Sequence, residues 1–266
     1  FSWTRRPPRS PLFPYPPLFR STLTAIAMRR VRIIGPGRAG SSLAAALGRC
    51  GWFVEPPLGR HDDPSSAAEG VDLLVVATPD RVVAEVAASV GTDTDTVVAH
   101  LSGALGLEAL APHVRRAACH PLVSLADADR GADQLCGGAW FAVAGDPLVE
   151  EVVEALGGRS FTIDDADRAT YHAAAVLASN HLVALLGQVE RVAGPLGIPL
   201  DAFLDLAEGS LANVRALGPA DALTGPAARG DEATIDRHLS VLPADERAAY
   251  EVLADLARRL AGRHRP

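Results

Sequence analysis

Ile33-Ile34-Gly35-Pro36-Gly37-Arg38-Ala39-Gly40 is the stretch whose reading decides the fold. It is a G-x-G-x-x-G. An apolar run, residues 31–34, leads in, and a helical pattern, Ser41-Ser42-Leu43-Ala44-Ala45-Ala46-Leu47, leads out. A strand, a glycine turn and a helix N-terminus in that order make a pyrophosphate cradle. Gly35 permits the tight turn, Gly37 lets the backbone approach the phosphates, and Gly40 lets helix and strand pack closely. A glycine-rich turn without ligand is the alternative, and the flanking strand and helix favour a bound dinucleotide.

Outward from this loop, strands alternate with helices. Strands are expected at 31–34, 52–55, 72–77, 96–99, 116–119, 139–144 and 160–163, and helices at 42–49, 81–89, 107–113 and 147–156. Val71-Asp72-Leu73-Leu74-Val75-Val76-Ala77 is apolar on both faces, as buried parallel strands are. The alternation implies a doubly wound, mostly parallel sheet over 28–164. Beyond it the strand signal stops. One long helix is expected over 166–193 and others over about 200–217, 231–240 and 244–262, so that 165–262 forms an all-helical domain.

Residues 1–27 hold six prolines, four arginines and no acid. They are expected to be a disordered extension, with the native protein beginning at Met28; an organelle-targeting peptide is the alternative. Setting their arginines aside leaves 21 basic against 32 acidic residues, a balance of −11 where the whole chain carries −7. That sign speaks against nucleic acid as a partner. No apolar run approaches 18 residues, so no membrane partner is expected either. Three widely spaced cysteines form neither a zinc pattern nor a disulfide framework and fit a cytoplasmic location. Every basic residue in the Lys+Arg count is arginine, so no lysine can form a Schiff base or act as general acid.

The candidate cofactor residues follow from position. In open parallel sheets ligands lie beyond the carboxyl ends of the strands. Gly35, Gly37, Arg38, Ala39 and Gly40 follow the first strand. Thr78, Pro79 and Asp80 follow the most buried one, and Ser102 and Gly103 the next. Turn and cap chemistry is the plainer account of these last five. Glu55 stands about 20 residues past the first glycine, where an acid would hold the ribose of NAD. Pro56-Pro57 follow it, however, and Arg38 and Arg60 would suit a 2′-phosphate, since a guanidinium binds phosphate bidentately. NADP is therefore expected, NAD remains open, and ordinary surface arginines are the alternative.

Candidate chemistry rests on four residues. His120, at a strand end and followed by Pro121, could donate a proton to a substrate carbonyl. Neighbouring Cys119 reads as a small buried hydrophobe. His172 and Asn180, with Ser179, share one face of the long helix; a helix–helix hydrogen-bond network would explain them equally. Arg229, in Thr224-Gly225-Pro226-Ala227-Ala228-Arg229-Gly230-Asp231, could clamp a carboxylate or sit in an ion pair.

Together the glycine loop, Ala77-Thr78-Pro79-Asp80, His100-Leu101-Ser102-Gly103-Ala104, His120-Pro121-Leu122, Tyr171-His172-Ala173-Ala174 through Ser179-Asn180, and Thr224-Gly225-Pro226 through Asp231 resemble one family. These are the Rossmann-like oxidoreductases with a C-terminal helical domain of unknown function. The resemblance covers about residues 28–262. The layout is similar to the wider 6-phosphogluconate dehydrogenase-like and ketopantoate reductase-like superfamily. The resemblance implies a nicotinamide facing a cleft between the two domains, and a homodimer built through the helices. Several such relatives use a lysine with a nearby asparagine on the long helix; here His172 and Asn180 are the nearest polar residues. The expected activity is hydride transfer between NAD(P) and a small carbonyl or 2-hydroxy/keto acid. A non-catalytic NADP-binding regulator is the second reading, and binding of another nucleotide-like ligand such as S-adenosylmethionine a third.

Overall fold

The computed structural model describes residues 28–262, so the expectation of a disordered 1–27 lies outside the described residues. Seven strands, β1 (Arg30–Ile34), β2 (Phe53–Val54), β3 (Leu73–Val76), β4 (Val97–His100), β5 (Arg116–Pro121), β6 (Trp140–Gly145) and β7 (Arg159–Thr162), form one sheet of order β2-β1-β3-β4-β5-β6-β7. All neighbours are parallel except β5 and β6, which run antiparallel with Cys119 opposite Val143. Each strand falls within a residue or two of its expected position.

The sheet is apolar on both faces because alternate residues serve different cores. Leu73 and Val75 of β3 join Val31, Ile33, Leu43 and Leu47 on one face, while Leu74 and Val76 join Ile34, Val83 and Val98 on the other. Helices α1 (Arg38–Arg49), α3 (Ala128–Cys136) and α4 (Leu148–Ala155) cover the first face, and α2 (Asp80–Ser89) the second. α1 and α3 approach closely: a Cβ on Gly131 would lie 2.1 Å from Ser42 Oγ, which donates to the Asp127 carbonyl. The chain leaves β1 for β2 on one side and returns to β3 on the other, which makes the carboxyl ends of β1 and β3 the switch point where ligands of such sheets sit.

Two expectations inside this domain change. The helix expected over 107–113 is only a 3-10 turn, Leu107–Leu110, because Pro112 supplies no amide proton to extend it. Helix α3 forms where no helix is expected, because its central Gly131 reads as a break.

After β7 the described residues contain no further strand. A turn at Asp165–Asp167 leads into α5 (Arg168–Val176), a π-helical turn over Leu177–His181, and α6 (Leu182–Ala193). Then come α7 (Leu200–Leu217), the short α8 (Pro219–Ala222) and α9 (Pro226–Arg229), α10 (Glu232–Val241) and α11 (Ala244–Gly262). The buried Gln188 side chain of α6 donates to the Glu246 carbonyl, and Arg191 pairs with the Glu246 carboxylate, which ties α6 to α11. The stretch Asp165–Leu196 is, by length and composition, apolar enough to cross a membrane, which the sequence reading had not anticipated. Here it forms a wall of the cleft described next.

Candidate active site

The glycine loop takes the form its spacing required. Gly35 adopts φ +98°, and a Cβ there would stand 2.8 Å from the Ala77 carbonyl oxygen; one on Gly40 would stand 2.2 Å from that of Gly35. Only glycine fits either place. Gly37 differs, since a Cβ there meets nothing within 4 Å. It caps α1 with no side-chain hydrogen bond, and the first turn of α1 holds no acid. The α1 N-terminus therefore carries free amide donors and a positive dipole end into open space.

That space is a cleft of 610 Å³. Gly37, Arg38 and Ala39 line it from α1, Ala77, Thr78 and Pro79 from the end of β3, Val123, Ser124 and Leu125 from the segment after β5, and Ser179, Asn180 and Val183 from the π turn and α6. Thr78 Oγ1 is buried without a partner among the described residues, as a hydroxyl awaiting a ligand would be. The residues present thus fit a dinucleotide: donors at the helix end, a close backbone approach at Gly37, and an unanswered hydroxyl across from them.

Glu55 does not fit the ribose role. It pairs with Arg30 and Arg32, beside the start of β1, and is consumed there. The chain continues along β1 instead, with Leu58 bridging Ile34 and the Gly35 amide donating to Leu58. Arg60 stands two residues beyond this bridge and is exposed. Arg38 is likewise exposed, at the cleft.

A second group adjoins the cleft. Ser102 Oγ donates to Asp80 Oδ2 at 2.8 Å and accepts from the amides of Ala104 and Leu105. Asp80 and Ser102 are thus partnered with each other, and the cap reading and the strand-end position hold together. The turn so fixed presents Gly103 to both imidazoles: its missing Cβ would lie 3.0 Å from His120 Nε2 and from His172 Cδ2. The two rings meet edge to face, 6.2 Å between centroids. His120 Nδ1 is 2.6 Å from the Tyr171 hydroxyl. Burial raises the Tyr171 pKa, so its hydroxyl keeps its proton and donates to Nδ1; the hydrogen-bond partners then assign the His120 proton to Nε2.

His120 was expected to donate a proton to a substrate carbonyl, and its pKa bears on that role. Burial, and next the neighbouring His172, push it down to about 4. His100 is buried and also held low, chiefly by burial; it bridges the Ser102 amide and the Gly106 carbonyl through its two nitrogens. Cys119 is buried, and its thiol is pushed up to about 12, the inert behaviour expected of a small core residue. Arg229 is not brought to this group. It lies exposed at the end of α9, which packs on α10 and α11, next to Asp231, the cap of α10. The loop folds back on the helical domain, away from the residues lining the cleft.

Sequence reasoning missed three contributors. Tyr171 carries no signal of its own in the sequence beyond its place beside His172. Arg168, one turn earlier, is 1% exposed and was not singled out. Ser124 and its neighbours had no signal beyond following a strand.

Fold and cleft together define a class, a Rossmann-like protein whose cofactor-side cleft is closed by an appended helical domain. Residues 56–124 match the model of a Rossmann-like domain, and residues 141–257 match the domain of unknown function DUF2520. The chain thus carries a Rossmann-like domain followed by this helical domain, the pairing that its motifs had implied. Among solved structures it is similar to a Bacteroides fragilis protein provisionally named an NADP oxidoreductase, at 22% identity and TM-score 0.73, over 87% of this chain and 98% of that one. A protein from Thermotoga maritima is similar at 24% identity and TM-score 0.65, over 89% and 100%. Plasmodium falciparum pyrroline carboxylate reductase with NADP bound is similar at 14% and 0.58, over 88% and 98%. At these identities the likeness is one of fold. No curated protein matches the sequence.

Proposed function

We propose that this protein is an NADP-dependent oxidoreductase of a small carbonyl or 2-hydroxy/keto acid. The observation that carries the reading is the uncapped α1 N-terminus at the sheet's switch point, facing the Thr78 hydroxyl, which has no partner among the described residues, across a cleft walled by Ser179 and Asn180. The pyrrolinecarboxylate reductase of the same fold, with NADP bound, supports the cofactor class. In this reading the free amides of α1 and Gly37 hold the pyrophosphate, Arg38 and Arg60 the 2′-phosphate, and Thr78 and Pro79 border the nicotinamide half. Asp80, Ser102 and Gly103 keep the neighbouring turn in place. When bound, the nicotinamide supplies or accepts the hydride.

The chain's own residues handle the oxygen. Tyr171 donates to His120 Nδ1, which leaves Nε2–H as the donor facing Gly103. With its pKa near 4, His120 is neutral at pH 7 and offers a hydrogen bond without a full charge. When Nε2 passes its proton to the oxygen, Nδ1 takes the Tyr171 proton in the same step, so the imidazole stays neutral and the proton is drawn in the end from Tyr171. His172 packs against the same glycine, and Asn180 orients the substrate oxygen from the cleft wall. This assignment requires no lysine.

We divide the chain between Asp164 and Asp165 and place it in the cytoplasm as a homodimer joined through its helices. The uncovered apolar residues of α7, Leu206, Leu211, Val214 and Leu217, support that pairing.

A thermal-shift series with NAD, NADP and their reduced forms tests the reading. A ligand at 100 times its Kd adds about 2.7 kcal/mol of stability. NADP and NADPH are expected to stabilise most, and Arg38→Ala with Arg60→Ala to erase that preference. No response to any of the four overturns the proposal. Binding without turnover across a broad carbonyl and alcohol panel favours the non-catalytic regulator instead.

A further inference from the structure

Arg168 opens α5 and is 1% exposed. Its Nε donates to Asp165 Oδ1 at 2.7 Å, while the Asp165 side chain stays 54% exposed. Nη1 and Nη2 are both buried and have no partner among the described residues. A guanidinium carries five N–H donors, and four of them here go unanswered. A buried charge with unmet donors is strongly disfavoured, so an arginine kept in this state points to a partner that arrives later.

Its surroundings indicate what that partner is. The Arg168 charge bears on His100, His120 and Tyr171. Asp165 packs against Gly106, whose carbonyl meets His100 Nε2. The carboxylates at hand are already engaged, Asp80 by Ser102 and Asp165 by Nε. The arginine thus lies beside the imidazole pair, on the substrate side, while the free amides suited to pyrophosphate lie after β1. A planar fork with two free nitrogens matches the two oxygens of a carboxylate.

We propose that Arg168 is the anchor for a substrate carboxylate, so that the substrate is an acid whose carbonyl sits close to its carboxylate. The inference rests on the reading of His120 and His172 as the substrate-facing group, and it gives Arg168 the role that the sequence had suggested for Arg229. Both nitrogens are sealed in this fold, so the anion reaches them as the half-exposed Asp165, which packs on Gly106, moves aside.

The test uses oxalate, pyruvate and acetone, titrated by calorimetry into the full chain with and without NADPH. Oxalate and pyruvate are expected to bind the wild type; acetone, which has the carbonyl but no carboxylate, is not. Arg168→Met is expected to weaken oxalate by about 100-fold or more, to keep the NADPH Kd within about twofold, and to leave the ligand-free Tm unchanged or raised, because it replaces an unanswered charge by an apolar chain of similar length. A merely structural arginine predicts the opposite Tm change. Arg168→Lys, which keeps the charge and loses the fork, is expected to weaken oxalate by about tenfold. The proposal is overturned by a lower Tm or lost folding in Arg168→Met, by wild-type oxalate affinity in Arg168→Lys, or by equal binding of acetone. It is overturned equally if Arg168→Met loses NADPH and keeps oxalate, which would make the arginine a cofactor residue. Oxalate binding without any response to NADPH would sink the cofactor reading and uphold this one.

Discussion

Helix α1 has 12 residues and buries Gly40, Ser42, Leu43, Ala46 and Leu47; helix α7 has 18 and buries none. Both carry apolar residues at helical spacing. The difference is what lies opposite. α1 is pressed between the sheet and α3, and its apolar face is fully used. α7 touches α6 and the short α8, and leaves Leu206 66% and Leu217 57% exposed. The nucleotide-binding half is therefore complete within one chain, whereas the helical half presents a surface that only another surface can bury.

That contrast can be broken most sharply at Gly40. Gly40→Ala puts a Cβ 2.2 Å from the Gly35 carbonyl oxygen, backbone against backbone, and is expected to cost more than about 3 kcal/mol in urea unfolding, with loss of NADP binding. Next, Leu43→Ala in the buried face of α1 should cost about 3 kcal/mol, while Leu211→Ala on α7 should stay within about 0.5 kcal/mol when the protein is measured as a monomer. Equal costs would mean that α7 is buried in some other way. Leu206→Glu with Leu211→Glu is expected to shift sedimentation from dimer to monomer without unfolding the sheet.

A smaller effect comes from His120. Its folded pKa, about 4, lies below the ordinary value of 6.5, so the unfolded chain takes up the proton first. The stability that neutral His120 contributes is whole above about pH 6.5 and is lost as pH falls towards 4. His120→Gln should flatten that acid limb in a pH series of Tm, and an unchanged limb would place the loss elsewhere. The smallest stability effect is expected from Gly37→Ala. Nothing lies within 4 Å of its Cβ and its φ is −75°, so stability should hold within about 0.5 kcal/mol. NADP affinity should nevertheless fall about tenfold or more, because the methyl takes up the space left for phosphate.

How much could be read in advance follows the same division. The seven strands were legible because residues such as Leu73 to Val76 are apolar on both faces and stop at glycine or proline. The glycine loop was legible because its sterics are local: Gly35, Gly40 and the following helix lie within one short segment. α3 was not, since Gly131 looks like a break until Ser42, 89 positions earlier, is seen against it. The 107–113 expectation failed at Pro112. In the site, His120, His172 and Asn180 could be named singly, but not that Gly103 seats both imidazoles or that Tyr171 sets the proton on Nε2. Glu55 had the right spacing, but it lies beside the start of β1, short of that strand's carboxyl end, and is taken up by Arg30 and Arg32. Arg168 was hidden because an arginine among Asp164, Asp165 and Asp167 reads as surface charge, and only the tertiary fold seals it.

The π turn at Leu177–His181 has a mechanical consequence. It holds one residue more than an α-helical turn needs, and each residue turns a helix by about 100°. Ahead of it stand Arg168, Tyr171 and His172, aimed at the sheet; behind it stand Gln188 and Arg191, aimed at α11. The extra residue sets the angular phase between the half that holds the reacting groups and the half that packs on the helical domain. Were the turn to close into a regular α-helix with all its residues kept, one set would swing through about a quarter turn relative to the other. A single deletion in this turn, which lets the helix close with both sets still in phase, is thus a smaller structural event than the same deletion elsewhere in the helix.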